Sequence, residues 1–489
     1  MKKNKILIWS VALVFFFALS GCEKYLDQNP DMRAEINTVD KVKRLVTDAY
    51  PGHNYLAMME TYSDNVEDKG VGNLDEPLRS LYFWEDIDDD DTNTPTAYWN
   101  NCYAAIAAAN HALQAIEELP ELGDEVLPYK GEALLARAYA HFMLVNLFAK
   151  VYEIGGANDS PGIPYVTEPE TVVIKEYDRG TVASVYDQIR RDLEEGLPLL
   201  ADGVWEVPKY HFTPASANAF ASRFYLFTGE WEKVVSSANA IFAGGSFVGK
   251  IRPYNSTFRE LSYEETRIRY SKADQEFNLL INETYSTYAR FTGSRYAMGV
   301  DIFQNVYNGR TAAGAPFYNF GLSYGPPHYT TYIWREHFHV TNAAANIGFP
   351  MLMVPVLTTD EVLLNRAEAY VELGNYPAAI ADLDLMASNR INNYNPNTHA
   401  VTLAKSKEHF DVTTDKEALL ETVLEFKRLA FITEGLRWLD IIRKGLTVTH
   451  NVIDDQGAET FVELTPNDPR RVFQIPQSAD LSNVESNPR

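Results

Sequence analysis

The sequence predicts a mainly α-helical fold: a scaffold of paired, tetratricopeptide-like helices carrying one large, irregular, aromatic-rich insertion of loops and short strands. Three observations predict it. Apolar residues recur at helical spacing along most of the chain. A helix-pair signature occurs twice, as Tyr225-x₃-Gly229-x-Trp231-x₂-Val234 and as Tyr370-x₃-Gly374-x-Tyr376-x₂-Ala379. Between the copies, over residues 246–350, helical spacing fades and 21 of 105 residues are aromatic, or 20% against 12% for the whole chain.

The elements follow in order. Lys2, Lys3 and Lys5 precede an apolar run of 14 residues, Ile6 to Leu19, broken only by Ser10. A membrane span needs about 20 residues, so this run suits the core of a signal peptide. Leu19-Ser20-Gly21-Cys22 resembles a bacterial lipobox, in which the signal is cut before a lipid-modified cysteine. Residues 1–21 are therefore read as the signal and Cys22 as the lipid site. Cys102 is then left alone, and no intramolecular disulfide forms. An acidic chain gains nothing from an anionic membrane surface, so the lipid must provide the anchor, at about 0.8 kcal/mol per buried methylene.

From Cys22 onward the chain reads as a single domain, with helical scaffold over about 30–245 and 355–450. Residues 98–119 form one long helix, with an Ala-rich stretch from Ala104 to Ala109, and residues 131–150 form another. Pro and Gly at 155–164 interrupt the helical blocks. In residues 181–199, Thr181 caps a stripe of Val182, Val185, Tyr186, Ile189, Leu193 and Leu197, and Asp187 and Arg191 lie on the outer face. Ala367, Tyr370, Ala379 and Leu383 occupy the small, aromatic, small and large positions of a tetratricopeptide unit. Thr358 with Glu361, and Thr414 with Glu417, read as capping boxes.

Composition excludes several functions. Acidic residues number 67 against 43 basic, a net charge of −24, and nucleic-acid binding needs the opposite balance. Two cysteines cannot build a disulfide framework or a thiolate zinc site. Gly321-Leu322-Ser323-Tyr324-Gly325 matches a nucleophile elbow in letters, but Pro326-Pro327 blocks the helix that must follow the serine. His337 and His339 offer two imidazoles without a third ligand at readable spacing. Asp86, Asp88 and Asp90 alternate as in an EF-hand, but Asp91 stands where glycine is needed and Ala97 where the bidentate glutamate is needed. A solvated acidic loop is the reading; no metal and no cofactor is assigned.

Ordered blocks carry a family resemblance. They are the lipobox with Tyr25-Leu26-Asp27, then Trp99-x₃-Tyr103-x₂-Ile106-x₃-Asn110, then Gly131-Glu132-Ala133-x₂-Ala136-Arg137-Ala138. Arg179-Gly180-Thr181 with Val185-Tyr186-x₂-Ile189-x₂-Asp192-Leu193 follows, then the two helix-pair units, Glu434-Gly435-x-Arg437-Trp438-x-Asp440, and Ile475-Pro476. In order and spacing these resemble the SusD/RagB family of Bacteroidetes outer-membrane nutrient-binding lipoproteins. The resemblance implies four tetratricopeptide-like units, an irregular ligand-binding face, and a non-enzymatic role. It also implies a TonB-dependent (SusC-like) outer-membrane transporter as partner, an oligosaccharide or sometimes a peptide as ligand, and a place at the cell exterior.

A glycan site needs flat rings for the apolar faces of sugars and polar groups at the edges for hydroxyls. Two segments offer both, in the regions from which the resemblance draws ligand contacts. One holds Asp64, Asn65, Tyr82 and Trp84, beside the acidic run Asp88 to Asp91. The other holds Arg295, Tyr296, Tyr332 and Trp334. In Tyr82/Trp84 and Tyr332/Trp334 the i, i+2 spacing places both rings on one face of an extended chain. Packing beneath a loop is the competing role for each of these rings. Trp99, Trp231 and Trp438 are assigned to packing, and Arg437 with Asp440 to an i, i+3 pair. Oligosaccharide capture is the main reading. Peptide capture, glycoside hydrolysis and a tetratricopeptide adaptor compete with it.

Overall fold

Small residues decide how closely the scaffold helices approach. The computed structural model describes residues 36–170, 172 and 175–489, so the signal, Cys22 and Tyr25-Leu26-Asp27 lie outside the described residues. The first helices are α1 (Val39–Thr47), α2 (Leu56–Tyr62), α3 (Leu78–Tyr82), α4 (Pro95–Glu118), α5 (Leu127–Phe148) and α6 (Val182–Gly196). From Gly131 to Phe148 every residue of α5 is buried, which explains a composition apolar or small on all faces. Helices α1, α4, α6 and α7 (Pro214–Thr228) all pack on it. The α6 crossing needs two glycines: a Cβ on Gly131 would lie 2.8 Å from the carbonyl oxygen of Gly196. Helix α6 starts where the sequence places it, with Thr181 and Ser184 exchanging cap hydrogen bonds and Val182, Val185, Tyr186, Ile189 and Leu193 buried.

The two helix-pair signatures are neighbours in space. The first is α7 with α8 (Trp231–Ala240). Next in the chain come α9 (Tyr263–Tyr270) and then the second pair, α10 (Thr359–Glu372) with α11 (Tyr376–Arg390). Gly229 (φ 74°) and Gly374 (φ 73°) close the two turns in the left-handed conformation that glycine adopts without steric cost. Helix α10 packs on both α7 and α8, so copies 145 residues apart in sequence stack directly. Ala367, Ala379 and Leu383 are fully buried at the contact. Helices α12 (Pro396–His399), α13 (Leu403–Phe410), α14 (Asp415–Ala430) and α15 (Arg437–Lys444) complete the scaffold, with α14 lying on α10 and α11.

Two expectations need correction. Thr358 caps α10 without a side-chain bond, and its hydroxyl has no hydrogen-bond partner among the described residues. Glu361 is drawn away by Arg223, whose Nε and Nη2 each donate to it at 2.6 Å and tie α7 to α10. Thr414, by contrast, accepts the backbone N–H of Glu417 as expected. Arg437 does not pair with Asp440. It forks onto Asp64 at 2.9 Å twice, while Asp440 binds Arg443.

The segment between the signatures is irregular, as composition predicts, but it contains α9 and a sheet. Strands β2 (Asn278–Tyr285), β6 (Glu336–Asn342) and β7 (Ile347–Thr358) form an antiparallel sheet in the order β2-β7-β6, with Ile281 opposite Pro355 and Phe338 opposite Pro350. Strand β7 runs directly into α10, so the sheet extends the insertion past its expected end at 350. Two short pairs flank the sheet: β1 (Glu67–Asp68) with β3 (Tyr296–Ala297), and β4 (Gly321–Ser323) with β5 (Tyr329–Thr331). A last hairpin, β8 (Val448–Ile453) with β9 (Glu459–Leu464), closes against β1. Among the described residues no helix is long and apolar enough to cross a membrane.

Candidate functional site

The eight expected ligand residues separate into two groups. Tyr82 and Trp84 are corrected first: neither offers a ring to solvent, with 0% and 1% exposure. Tyr82 ends α3 and Trp84 has φ 55°, so the chain is not extended there. The rings share a partner instead of a face. His450 lies between them, stacked on Tyr82 at 4.1 Å and on Trp84 at 4.4 Å. Trp84 Nε1 donates to the carbonyl of Tyr62 at 3.2 Å, and Tyr82 Oη accepts the N–H of Asp68 at 2.8 Å. This stack fixes the 60s and 80s segments to the β8–β9 hairpin.

Asp64 and Arg295 are likewise engaged by the protein. Burial pushes the Asp64 carboxyl up, but the guanidiniums of Arg428 and Arg437 prevail and hold it well below the usual carboxylate range. Arg295 forks onto Asp68 at 2.6 and 2.8 Å. The acidic loop is exposed and partly tied to the C-terminal region: Asp88 accepts the N–H of Gln477, and Asp86 pairs with Arg489. His337 is bonded to Glu283.

The remaining four, Asn65, Tyr296, Tyr332 and Trp334, meet in one cleft that opens to solvent. It lies where the insertion faces α2 and the loop before α15. Trp334 forms floor, not platform: it is nearly buried, and its Nε1 donates to the carbonyl of Thr433 at 3.0 Å. Tyr296 is buried against Tyr82, with ring centres 4.6 Å apart. Tyr332 is half-buried and reaches the open side, where its ring lies 5.1 Å from that of Tyr263 at the first position of α9. Tyr324, 64% exposed, stands on the turn between β4 and β5. Tyr263 is 43% exposed. Tyr288, Phe291 and Tyr329 complete an aromatic wall, and Thr330 adds a half-buried hydroxyl at the edge. Asn65 is corrected too: it is buried beneath the cleft, its amide donating to Glu60 at 3.1 Å and accepting from Arg428 at 2.9 Å.

Sequence reasoning missed Tyr263 and Tyr324. Tyr324 lies inside the five residues that resemble a serine motif, and its signal was an aromatic on a Gly-Pro-Pro turn. Tyr263 follows the capping serine Ser262, which fixes the start of α9 and so the position of the ring.

Below the rings, Glu60 joins the walls. Its carboxylate accepts the N–H groups of Thr433 (2.7 Å) and Gly435 (2.9 Å) and the amide of Asn65 (3.1 Å). Thr433 holds a left-handed φ of 66°, rare for a β-branched residue, and its hydroxyl bonds that of Thr331. Burial outweighs the three donors and pushes the Glu60 carboxyl up from 4.5 to about 7. A carboxyl raised on folding holds its proton more tightly in the native state. Its stabilisation is complete below the unfolded value and is lost as pH rises through 7. The loss is about 3 kcal/mol. Glu67, also raised to about 7 by burial, adds a slope of its own, so urea midpoints compared between pH 4.5 and 8 should fall more steeply in wild type than in Glu60→Gln; parallel profiles would refute it.

Comparison with known proteins agrees with this architecture. A family profile described as "Starch-binding associating with outer membrane" matches residues 24–226, and one described as "SusD family" matches residues 259–483. SusD-like protein P38 of Formosa agariphila is 23% identical over 92% of this chain and 93% of its own. A putative sugar-binding protein of Bacteroides vulgatus is similar in structure with a TM-score of 0.69 and 19% identity, over 93% of this chain and 99% of that one. A laminarin-binding SusD-like protein gives a TM-score of 0.59 at 19% identity, over 92% of this chain and 98% of that one. The ordered blocks, the stacked helix pairs and two matches that together span most of the chain, insertion included, agree: the chain belongs to the SusD/RagB family.

Proposed function

We propose that this protein is an outer-membrane lipoprotein, anchored through Cys22 at the cell exterior, that holds an oligosaccharide without chemical change and delivers it to a TonB-dependent transporter. The observation that carries the reading is the cleft: tilted tyrosine rings at its mouth and a threonine hydroxyl at its edge, built on the insertion of a SusD/RagB scaffold. Rings with few rotatable bonds bind flat sugar faces at low entropic cost. Among the described lining residues one carboxyl is present, Glu60, and three protein donors occupy it, whereas glycoside hydrolysis requires two carboxyls flanking the bond. The membrane association in the family description and the laminarin-binding relative support the same reading.

The test is calorimetric titration of the soluble chain, started after Cys22, against oligosaccharides and short peptides, with the mixtures checked for cleavage. An intact glycan should bind saturably. Tyr332→Ala and Tyr263→Ala should each weaken it about tenfold, from loss of roughly 1.4 kcal/mol of ring contact, at unchanged melting temperature. Heat with basic peptides alone would move the protein to peptide capture, which its acidic surface would favour. Product release would make it an enzyme. Silence throughout, with peptide partners bound on the helical scaffold instead, would make it an adaptor.

A further inference from the structure

The cleft does not share the acidic excess of the chain. Arg267 is the single cation among the described residues that line it, and Glu60 the single acid. Glu60 faces inward onto Thr433, Gly435 and Asn65. Arg267 is held rigidly and left partly unused. Its Nε donates to the carbonyl of Trp334 at 2.9 Å, its Nη1 reaches Glu264 at 3.2 Å, and its guanidinium lies 5.1 Å from the centre of the Tyr263 ring. Its Nη2 has no protein partner among the described residues. Arg335 touches the same Glu264 through Nε at 3.3 Å, and its side chain is 48% exposed. One carboxylate between two guanidiniums leaves a surplus positive charge at the edge of the cleft.

A guanidinium held by a ring and a carbonyl, with one amino group unpartnered, is preorganised to give a charge-assisted hydrogen bond to an oxygen of a carboxylate or sulfate. The ring that fixes it is one of the two against which a sugar would stack. We propose that the ligand of this cleft is an anionic oligosaccharide, whose carboxylate or sulfate group sits on Arg267 and Arg335 while a sugar ring lies against Tyr263 and Tyr332. This rests on the glycan-capture reading and narrows it to a substrate class. The two anionic groups share one requirement, negatively charged oxygens about a ring's width from the stacked face, and differ in their source, uronic acid or sulfate ester.

The experiment compares the affinities of the soluble chain for three probes: an oligogalacturonate, a sulfated galactan oligosaccharide and a neutral β-glucan oligosaccharide of equal length. It is repeated for Arg267→Gln, Arg335→Gln and Tyr332→Ala at low and high salt. One acidic probe should bind more tightly than the neutral one, and which of the two does so identifies the source. Arg267→Gln should lower the acidic-to-neutral affinity ratio about tenfold or more, as loss of a charge-assisted hydrogen bond requires, and salt should lower it in wild type. Arg335→Gln, at a half-exposed site, should lower the ratio in the same direction, and it decides the matter if Arg267→Gln fails to fold. Equal affinities, insensitive to salt and to both arginines but sensitive to Tyr332→Ala, would overturn the anionic inference and leave glycan capture standing. No binding of any probe would overturn both.

Discussion

Trp84→Ala should lose about 3–5 kcal/mol of stability, the cost of emptying a large, fully enclosed aromatic site. Its ring lies on His450, its Nε1 bonds Tyr62, and no part of it faces the tyrosine cleft. The variant should therefore melt several degrees early, and any weakening of ligand should follow from the lost fold. Tyr332→Ala should do the reverse. Thermal melting and ligand titration of the two variants, side by side, separate the roles. A Trp84→Ala protein that melts like wild type but no longer binds would return Trp84 to the ligand site.

Glu368→Gln should be comparably severe for a different reason. Glu368, on α10, is wholly buried and surrounded by cations: Arg443 Nη2 at 2.7 Å, Lys444 at 2.8 Å and Lys427 at 3.4 Å. Burial alone would raise its carboxyl, but Arg443, Lys444 and Lys427 hold it well below 4.5. Removing its charge leaves two buried cations, Arg443 and Lys427, to share Asp440 alone, and loss of a buried charge partner costs about 3–5 kcal/mol. The sign in pH is opposite to that of Glu60. A carboxyl depressed on folding contributes fully above its unfolded value near 4.5, and the contribution is lost as pH falls toward the folded value. Denaturant midpoints should show wild type losing stability on acidification below 4.5 more steeply than Glu368→Gln. Equal slopes would place the ion cluster outside the stability of the fold.

The scaffold was legible because its rules are local. Gly229 and Gly374 mark turns that only a residue without Cβ enters freely, and Ala367 and Ala379 mark where helices touch. Thr181 announces the start of α6 within four residues of sequence. The site was only partly legible because its rules are long-range. Whether Trp84 is platform or core depends on His450, on a hairpin near the other end of the chain. Whether Asp64 is free depends on Arg437, 373 residues away. Glu361 fits a capping box in sequence and loses that role to Arg223. Aromatic enrichment located the insertion, and within it Tyr332 reached the cleft mouth while Trp334, two residues on, became its floor.

The insertion leaves and rejoins the scaffold at nearly one point. Thr359, the first residue of α10, donates its hydroxyl proton to the carbonyl of Lys250 at 2.9 Å and its N–H to Phe277 at 3.0 Å. The 108 residues between Lys250 and Thr359 form a loop already closed at its base, and lengthening such a loop costs little, about 0.6 kcal/mol per doubling. Evolution can thus exchange this module almost as a cassette, changing what the mouth recognises while the stacked pairs beneath keep their register. Each exchange is constrained where the insertion meets the scaffold: an incoming segment must still meet Thr433 with a hydroxyl and an indole N–H above Glu60, and must still satisfy Asp68 and pair with β1.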